Sequence, residues 1–291
     1  MLLVRLATAL RSELGVTVPV AELFTLSTPS LLAARVSSEA GFAGDGLDPV
    51  LVLRAGSGQP LFCVHPASGL SWQFVGLAKY LPEDVPLIGL QSPWLTGEGA
   101  ESFREVVLTY ADRVVLMAPQ GPIRLLGWSF GGAVAHQLAA ELVSRGRTVS
   151  FVGMLDARMD AGAGAGSVAG LMAELGHAVT DELTIEEAVA MIRASDGGVI
   201  GALEEAQVAR IVETYLASDR VFLTARWEAY GGEVLFVDAM VPERGFAGPA
   251  STGWRPLTPG LEAVPVECAH SELLDGEVLR VIGPLIADRL G

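Results

Sequence analysis

Two hydrophobic periods divide the chain. Between residues 3 and 36 the apolar positions recur at helical spacing, with Leu3, Leu6, Ala7, Leu10 and Leu14 on one face and Gly15 placed to end the helix. A second helix starts where Ser27 or Thr28 can cap and Pro29 fits the first turn, and Leu31, Leu32, Ala34 and Val36 follow. These helices are too few to close a core of their own. Gly41–Gly46 then reads as a linker, which places a domain boundary there. From residue 50 short apolar runs alternate with helical stretches. Val50–Leu53 and Leu61–Val64, separated by Gly56, Gly58 and Pro60, predict a hairpin. Trp72, Val75, Leu77, Ala78 and Leu81 predict a helix, Pro86–Leu90 a buried strand, and residues 101–118 a helix with Phe103, Val106, Val107, Tyr110 and Val114 inward. Ile123–Leu126 and Val149–Leu155 are further strands around a helical run from Ala133 to Leu142. Such alternation predicts an α/β architecture, a mostly parallel sheet covered on both faces.

Residues 157–230 break this rhythm. The run Ala161–Gly166 is followed by three helical patterns, near 167–175, 184–194 and 204–219, with no strand between them. A helical insertion of that length is expected to act as a lid, with the Gly-Ala run as its hinge. Leu171, Leu175, Ile185, Ile192, Val208, Ile211 and Leu216 supply an apolar lid face, as packing residues or substrate contacts. Strands return at Glu233–Asp238 and Ala263–Cys268, before a terminal helix over 278–290.

Composition narrows the class. At 291 residues with 51% hydrophobic content, the chain suits one large domain, or a domain plus a fragment, with a substantial core. The formal net charge of −15 repels phosphate backbones and anionic lipid heads, so neither nucleic acid nor a membrane surface is an expected partner. The sequence has no uncharged apolar run long enough to span a membrane, and Arg5, Arg11 and Glu13 lie inside the first helical pattern rather than flanking a signal peptide. A cytoplasmic location follows as the expectation. Cys63 and Cys268 are too few for a disulfide framework and are read as buried free thiols in strand-like runs.

The candidate chemistry centres on Gly127-Trp128-Ser129-Phe130-Gly131-Gly132, a G-x-S-x-G nucleophile elbow between a strand and a helix, as in the α/β-hydrolase fold. The flanking glycines leave room for a sharp turn that pushes the Ser129 hydroxyl above the sheet. A hydroxyl becomes a nucleophile when a base takes its proton, and histidine suits this near neutral pH. Of the four histidines, His270 follows the last strand, where the order serine, acid, histidine puts the base on this architecture. His65 is expected to shape its own turn, His136 to pack or face solvent, and His177 lies in the insertion. Two aspartates end strands on the correct side, Asp156 after Gly153–Leu155 and Asp238 after Leu235–Val237, and pattern alone leaves both open as the acid.

Two resemblances add to this reading. Leu2–Leu6, Glu13–Val16 and Ala21–Phe24 resemble the second half of an acyl or peptidyl carrier domain, in which a serine just before this first helix carries phosphopantetheine. The resemblance implies that residues 1–40 are a truncated carrier without that serine, followed by a linker over 41–49. The elbow, Leu155-Asp156-Ala157 and Ala269-His270-Ser271 resemble the thioesterase domains that end nonribosomal peptide and polyketide synthases, over residues 50–291, with the lid at about 157–230. That family places its acid after the strand following the nucleophile helix, which favours Asp156, with Asp238 as the alternative. His65-Pro66-Ala67-Ser68-Gly69 resembles the family's oxyanion loop, so the resemblance makes the backbone N–H groups of Ala67 and Phe130 the oxyanion donors. Pro66 has no N–H to give.

The implied reaction passes a carrier-bound acyl or peptidyl thioester to Ser129. Release follows by macrocyclisation, the favoured outcome, or by hydrolysis. No permanently bound cofactor or metal is implied; the substrate arrives on the phosphopantetheine of a carrier domain served by upstream synthetase modules. A stand-alone editing thioesterase and a general serine esterase share the same catalytic parts and are the alternatives, and a catalytically silent binding module is the non-enzyme reading.

Overall fold

The computed structural model describes residues 6–7, 9–10, 13–16, 18, 23, 26, 28–36, 46–160, 167–174, 183–194, 200, 203–243 and 248–291. The expected hinge at 161–166, most of the linker and much of the carrier-like stretch lie outside these residues. Of that stretch, Pro29–Val36 forms helix α1, with the Thr28 hydroxyl accepting from the Leu31 N–H at 3.2 Å as the capping pattern predicts.

Seven strands form one sheet: β1 (Val50–Arg54), β2 (Leu61–Val64), β3 (Leu87–Leu90), β4 (Ile123–Trp128), β5 (Val149–Leu155), β6 (Glu233–Ala239) and β7 (Gly260–Val266), in the order β1-β3-β2-β4-β5-β6-β7. Only β1 runs antiparallel, so the fold is the expected mostly parallel sheet of an α/β hydrolase. β2 and β3 are buried at every position because helices cover both faces, which is why they read as continuous apolar runs without alternation. Helices α2 (Phe103–Met117), α3 (Phe130–Ser144) and α8 (Gly276–Leu290) pack on the sheet with core faces set by the predicted periodicity.

The β1–β2 hairpin does not form. β1 pairs with β3, Val50 opposite Leu90, and β3 separates it from β2. The glycines that suggested a hairpin turn instead let the chain pass tightly beneath the segment entering β3. A Cβ at Gly56 would lie 2.4 Å from the Asp84 carbonyl oxygen, and the Gly58 N–H donates to that same oxygen at 2.7 Å. Arg54 completes the attachment. Its guanidinium donates to the carbonyls of Ala78, Leu81, Pro82 and Val85 at 2.6–3.2 Å. That fork locks the end of β1 to the chain just before β3.

The predicted helix near 72–81 is instead a 3-10 segment, Trp72–Lys79. Pro82 has no N–H to continue an α-helical ladder to the Ala78 carbonyl, and Arg54 supplies that donor. Gly76 in its middle abuts α8, where a Cβ would meet Leu279 at 2.5 Å. The last strand also sits earlier than its apolar run suggests, ending at Val266, so Cys268 lies beyond it although it is buried. Pro265 is tolerated because β7 is an edge strand.

Between β5 and β6 the described residues contain three helices and no strand: α4 (Val168–Glu174), α5 (Ile185–Ala194) and α6 (Glu205–Phe222). Leu171, Ile192, Val208 and Ile211 are buried there and Ile185 and Leu216 pack against them, while Leu175 is outside the described residues. The insertion is tied down by α6, whose Arg210 donates to the Leu95 carbonyl at 3.0 Å in the 3-10 turn Pro93–Thr96. No helix among the described residues is long and apolar enough to cross a membrane.

Because one guanidinium serves four carbonyls, Arg54→Ala is expected to lower unfolding stability by about 2–4 kcal/mol, since hydrogen bonds to charged groups contribute about 1.5–3 kcal/mol each and carbonyls near solvent recover part of the loss. Arg54→Lys should recover less than half. Urea unfolding of the two variants measures this, and a loss below 0.5 kcal/mol in Arg54→Ala, on the order of a neutral surface change, would contradict the anchoring role.

Candidate active site

Ser129 connects β4 to α3 with φ 56° and ψ −123°, a conformation held open to a non-glycine residue only by the surrounding structure. The glycines around it are required by contact rather than by flexibility. A Cβ at Gly127 would fall 2.0 Å from the Gly131 carbonyl oxygen, and one at Gly131 would fall 2.3 Å from the Val64 and 2.4 Å from the His65 carbonyl oxygens. The first turn of α3 therefore lies directly against the end of β2 and the backbone of β4. The Ser129 N–H donates to the Leu155 carbonyl at 2.9 Å, which aligns the serine with the end of the neighbouring β5.

The next residue after β5 is Asp156, also at positive φ (41°), with its N–H donating to the Val237 carbonyl at 2.8 Å. Its carboxylate points at His270. Asp156 Oδ2 lies 2.7 Å from His270 Nδ1, both side chains are 1% exposed, and Asp156 Oδ1 accepts from the Ala239 N–H at 3.3 Å. A carboxylate facing Nδ1 puts the neutral ring's hydrogen there and its lone pair on Nε2, the tautomer a general base needs. His270 opens a 3-10 turn after β7, and its ring centroid lies 5.6 Å from that of Trp128, the residue before Ser129.

The second strand-end aspartate faces elsewhere. Asp238 Oδ1 accepts from the Ser251 N–H at 2.9 Å and Oδ2 from the Ser251 hydroxyl at 2.7 Å, at the start of the short helix α7 (Ser251–Trp254). The structure thus brings Asp156 and His270 together and leaves Asp238 bound to Ser251. Nothing local to Asp238 in the sequence announces that partner.

The His65–Gly69 turn follows β2. Its Pro66 carbonyl accepts from the Gly69 N–H at 3.0 Å, Gly69 takes φ 87°, and the Gly69 carbonyl accepts from the Ser92 N–H at 3.0 Å. A Cβ on Gly69 would lie 2.5 Å from Thr214 of α6, so the turn and the helical insertion are in direct contact. Ala67 and Phe130 are both buried here, at 6% exposure.

A family model for the thioesterase domain matches residues 59–284, and one for the phosphopantetheine attachment site matches residues 1–36. The chain belongs to the thioesterase domain family. It is similar to a dimodular nonribosomal peptide synthase of Bacillus subtilis, 32% identical over the whole of this chain and 13% of that relative's length. Among solved structures, a four-domain nonribosomal peptide synthetase bound to AMP and glycine is matched with TM-score 0.71 at 25% identity, covering 99% of this chain and 23% of that one. The NocB thioesterase domain in covalent complex with a fluorophosphonate nocardicin G analogue is matched with TM-score 0.60 at 27% identity, covering 81% and 96% of the two chains.

The thioesterase domain buries two other histidines, His65 and His136, as neutral rings. His65 Nδ1 lies 2.5 Å from the Pro66 carbonyl and Nε2 2.5 Å from the Tyr110 hydroxyl, and burial pushes its pKa down to about 4. His136, on α3, lies 2.7 Å from Thr258 Oγ1 through Nε2 and accepts from Gln137 Nε2 at 2.9 Å through Nδ1; burial lowers it to about 4 as well. Of the two roles expected for His136, packing is the one observed. His177 lies outside the described residues. Burial also pushes both thiols up, Cys268 to about 11, so each is a protonated packing group near neutral pH. Tyr110, the rings of Phe103 and Phe222 against Phe130, and Trp227 behind those two were not legible in the sequence as site neighbours, because they meet only through tertiary contact.

Both imidazoles bind a proton more weakly folded than unfolded, so the unfolded chain takes up more protons as pH falls. Stability is complete above about pH 6.5 and declines toward pH 4, at up to about 1.4 kcal/mol per pH unit for each ring. Urea unfolding at pH 7.5, 6.0 and 5.0 should show this slope, and His136→Phe should flatten it by about half. An unchanged slope in the variant would rule out the buried neutral ring as its source.

Proposed function

We propose that this domain releases an acyl or peptidyl chain from a carrier-bound thioester through an acyl-enzyme on Ser129. The reading assigns Ser129 as nucleophile, His270 as general base and acid, and Asp156 as the carboxylate that orients His270. It treats residues 1–40 as the end of a carrier domain, 41–49 as linker, 50–291 as the thioesterase domain and about 157–230 as its lid. The observation that carries it is the buried 2.7 Å Asp156–His270 contact at the strand ends beside the strained Ser129. Asp238 is a poor candidate for the acid because Ser251 takes both of its oxygens.

In this mechanism the Ser129 hydroxyl attacks the thioester carbonyl while its proton passes to His270 Nε2. The developing oxyanion is met by the N–H groups of Ala67 and Phe130, and the thiol leaves with the proton from His270. A second nucleophile then gives a proton to His270 as it attacks the ester, and His270 returns that proton to the departing Ser129 oxygen, which restores the hydroxyl. Water yields the free acid, whereas an amine or hydroxyl of the bound chain yields a macrocycle. The favoured outcome is the macrocycle, with α6 and its neighbours excluding water. The phosphopantetheine-site match over residues 1–36 and the multidomain peptide synthases among the relatives support a carrier as the donor, upstream modules as partners and a cytoplasmic setting.

A fluorophosphonate probe should add one equivalent of mass to the protein and none to Ser129→Ala. In single-turnover acylation Asp156→Asn should be slower by about 10³–10⁴-fold, as for loss of the orienting acid elsewhere, while Asp238→Asn stays within about fivefold, a change of under about 1 kcal/mol in barrier, and loses stability instead. A large loss confined to Asp238→Asn would reverse the choice of acid. Mass analysis of products from a panel of peptidyl and hydroxyacyl thioesters reads the release step: a product lighter than the acid by one water is the macrocycle.

A further inference from the structure

Each oxyanion donor proposed above sits on a different element, Ala67 in the turn after β2 and Phe130 at the start of α3. Two donors on separate elements act together only if something fixes their spacing. We propose that His65 is the positioning residue that does so: one imidazole fixes the peptide plane carrying the Ala67 N–H and at the same time packs against Phe130. The proposal rests on the reading of Ala67 and Phe130 as donors.

The geometry on the Ala67 side is direct. The Pro66 carbonyl and the Ala67 N–H belong to the same planar trans peptide, so fixing one direction fixes the opposite one. That carbonyl has two donors, His65 Nδ1 at 2.5 Å and the Gly69 N–H at 3.0 Å. Together they turn the Pro66 oxygen inward, and the Ala67 N–H consequently points the other way. A carbonyl can only accept, so the ring hydrogen is on Nδ1 and Nε2 receives the Tyr110 hydroxyl at 2.5 Å. Tyr110 is itself placed by its buried position on α2; with its one hydroxyl hydrogen directed to Nε2, the Gln91 carbonyl 3.3 Å away is only a second, longer acceptor for it.

On the Phe130 side the His65 ring is stacked on the Phe130 ring, with centroids 5.7 Å apart and planes 25° apart. Phe103 and Phe222 close the rest of that ring at 5.8 and 6.1 Å. The His65 backbone adds to the same contact. Its N–H donates to the Leu90 carbonyl at 3.2 Å, and its own carbonyl is one of the atoms that a Cβ on Gly131 would strike. The imidazole is fully buried, donates to the peptide that carries the Ala67 N–H and packs on Phe130, which makes its effect one of spacing.

The test compares His65→Gln, His65→Asn and Tyr110→Phe in the full chain, by the maximal rate and half-saturating concentration of Ser129 labelling with an alkyl fluorophosphonate, whose phosphoryl oxygen needs the same donors. Asparagine can place an N–H where Nδ1 stands, whereas glutamine reaches only the place of Nε2. His65→Gln is expected to lower the maximal rate about 100-fold, the loss typical of one oxyanion donor, with the half-saturating concentration unchanged. His65→Asn should recover most of that rate, and Tyr110→Phe, which keeps the shape of the ring, should lose about three- to tenfold by freeing the imidazole. Wild-type rates in His65→Gln, or equal losses in the glutamine and asparagine variants, overturn the proposal. Should His65→Gln fail to fold, an unchanged maximal rate in Tyr110→Phe overturns it. Ser129→Ala separates the two levels: labelling that persists there overturns the site reading and this proposal with it, whereas labelling lost there but unaffected at His65 overturns the positioning role alone.

Discussion

Where β2, β4 and the first turn of α3 meet, three stretches of backbone lie closer together than any side chain would allow. Gly131 has the Val64 and His65 carbonyl oxygens at 2.3 and 2.4 Å from its missing Cβ, and Gly127 has the Gly131 carbonyl at 2.0 Å. This close approach forces the turn at Ser129 and sets α3 against the end of β2. It seats the elbow against the end of β2, the point from which the His65–Gly69 turn departs. The Leu155 carbonyl, accepting from the Ser129 N–H, extends the same constraint to β5 and so to Asp156. The candidate site is in this sense a property of packed backbone, and its side chains inherit their positions from it.

Burial then decides how those side chains behave. His65 and His136 are enclosed by aromatic rings and hydroxyls and stay neutral, whereas His270 has a carboxylate partner 2.7 Å away. The three rings have one chemistry and different neighbours. The aromatic group of Phe103, Phe222 and Trp227 joins Phe130 to the end of α6, so the insertion rests on the residue that follows the serine. With Thr214 against Gly69, α6 meets the turn at its middle and the elbow residue Phe130 at its C-terminal end, through Phe222.

Much of this was legible in the sequence because its signals are local. The glycine spacing at 127–132, the apolar runs of β2 to β5 and the helical insertion each depend on residues within a few positions of one another. Pairing of β1 was not legible, since it depends on Arg54 reaching carbonyls 24 to 31 residues away. The 3-10 form of 72–79 depends on the same guanidinium and on α8. For the two strand-end aspartates, sequence pattern was balanced, and what distinguishes their surroundings is the hydroxyl of Ser251, 13 residues beyond one of them. The His65–Tyr110 contact spans 45 residues and left no trace in spacing.

The Asp238–Ser251 pair has a consequence for how this fold can vary. Two neighbouring strands end in a carboxylate, and either end is within the part of the sheet where an acid serves a histidine. One of them is occupied by a competitor: Ser251 offers a hydroxyl and a backbone N–H to Asp238 in the same way that a ring N–H would be offered at Asp156. Migration of the acid from one strand to the next would therefore begin with loss of that serine, a residue of the scaffold, rather than with gain of a new carboxylate. Under the proposed roles, the position of the acid is the outcome of a contest between donors, and the scaffold keeps the second acid in reserve by occupying it.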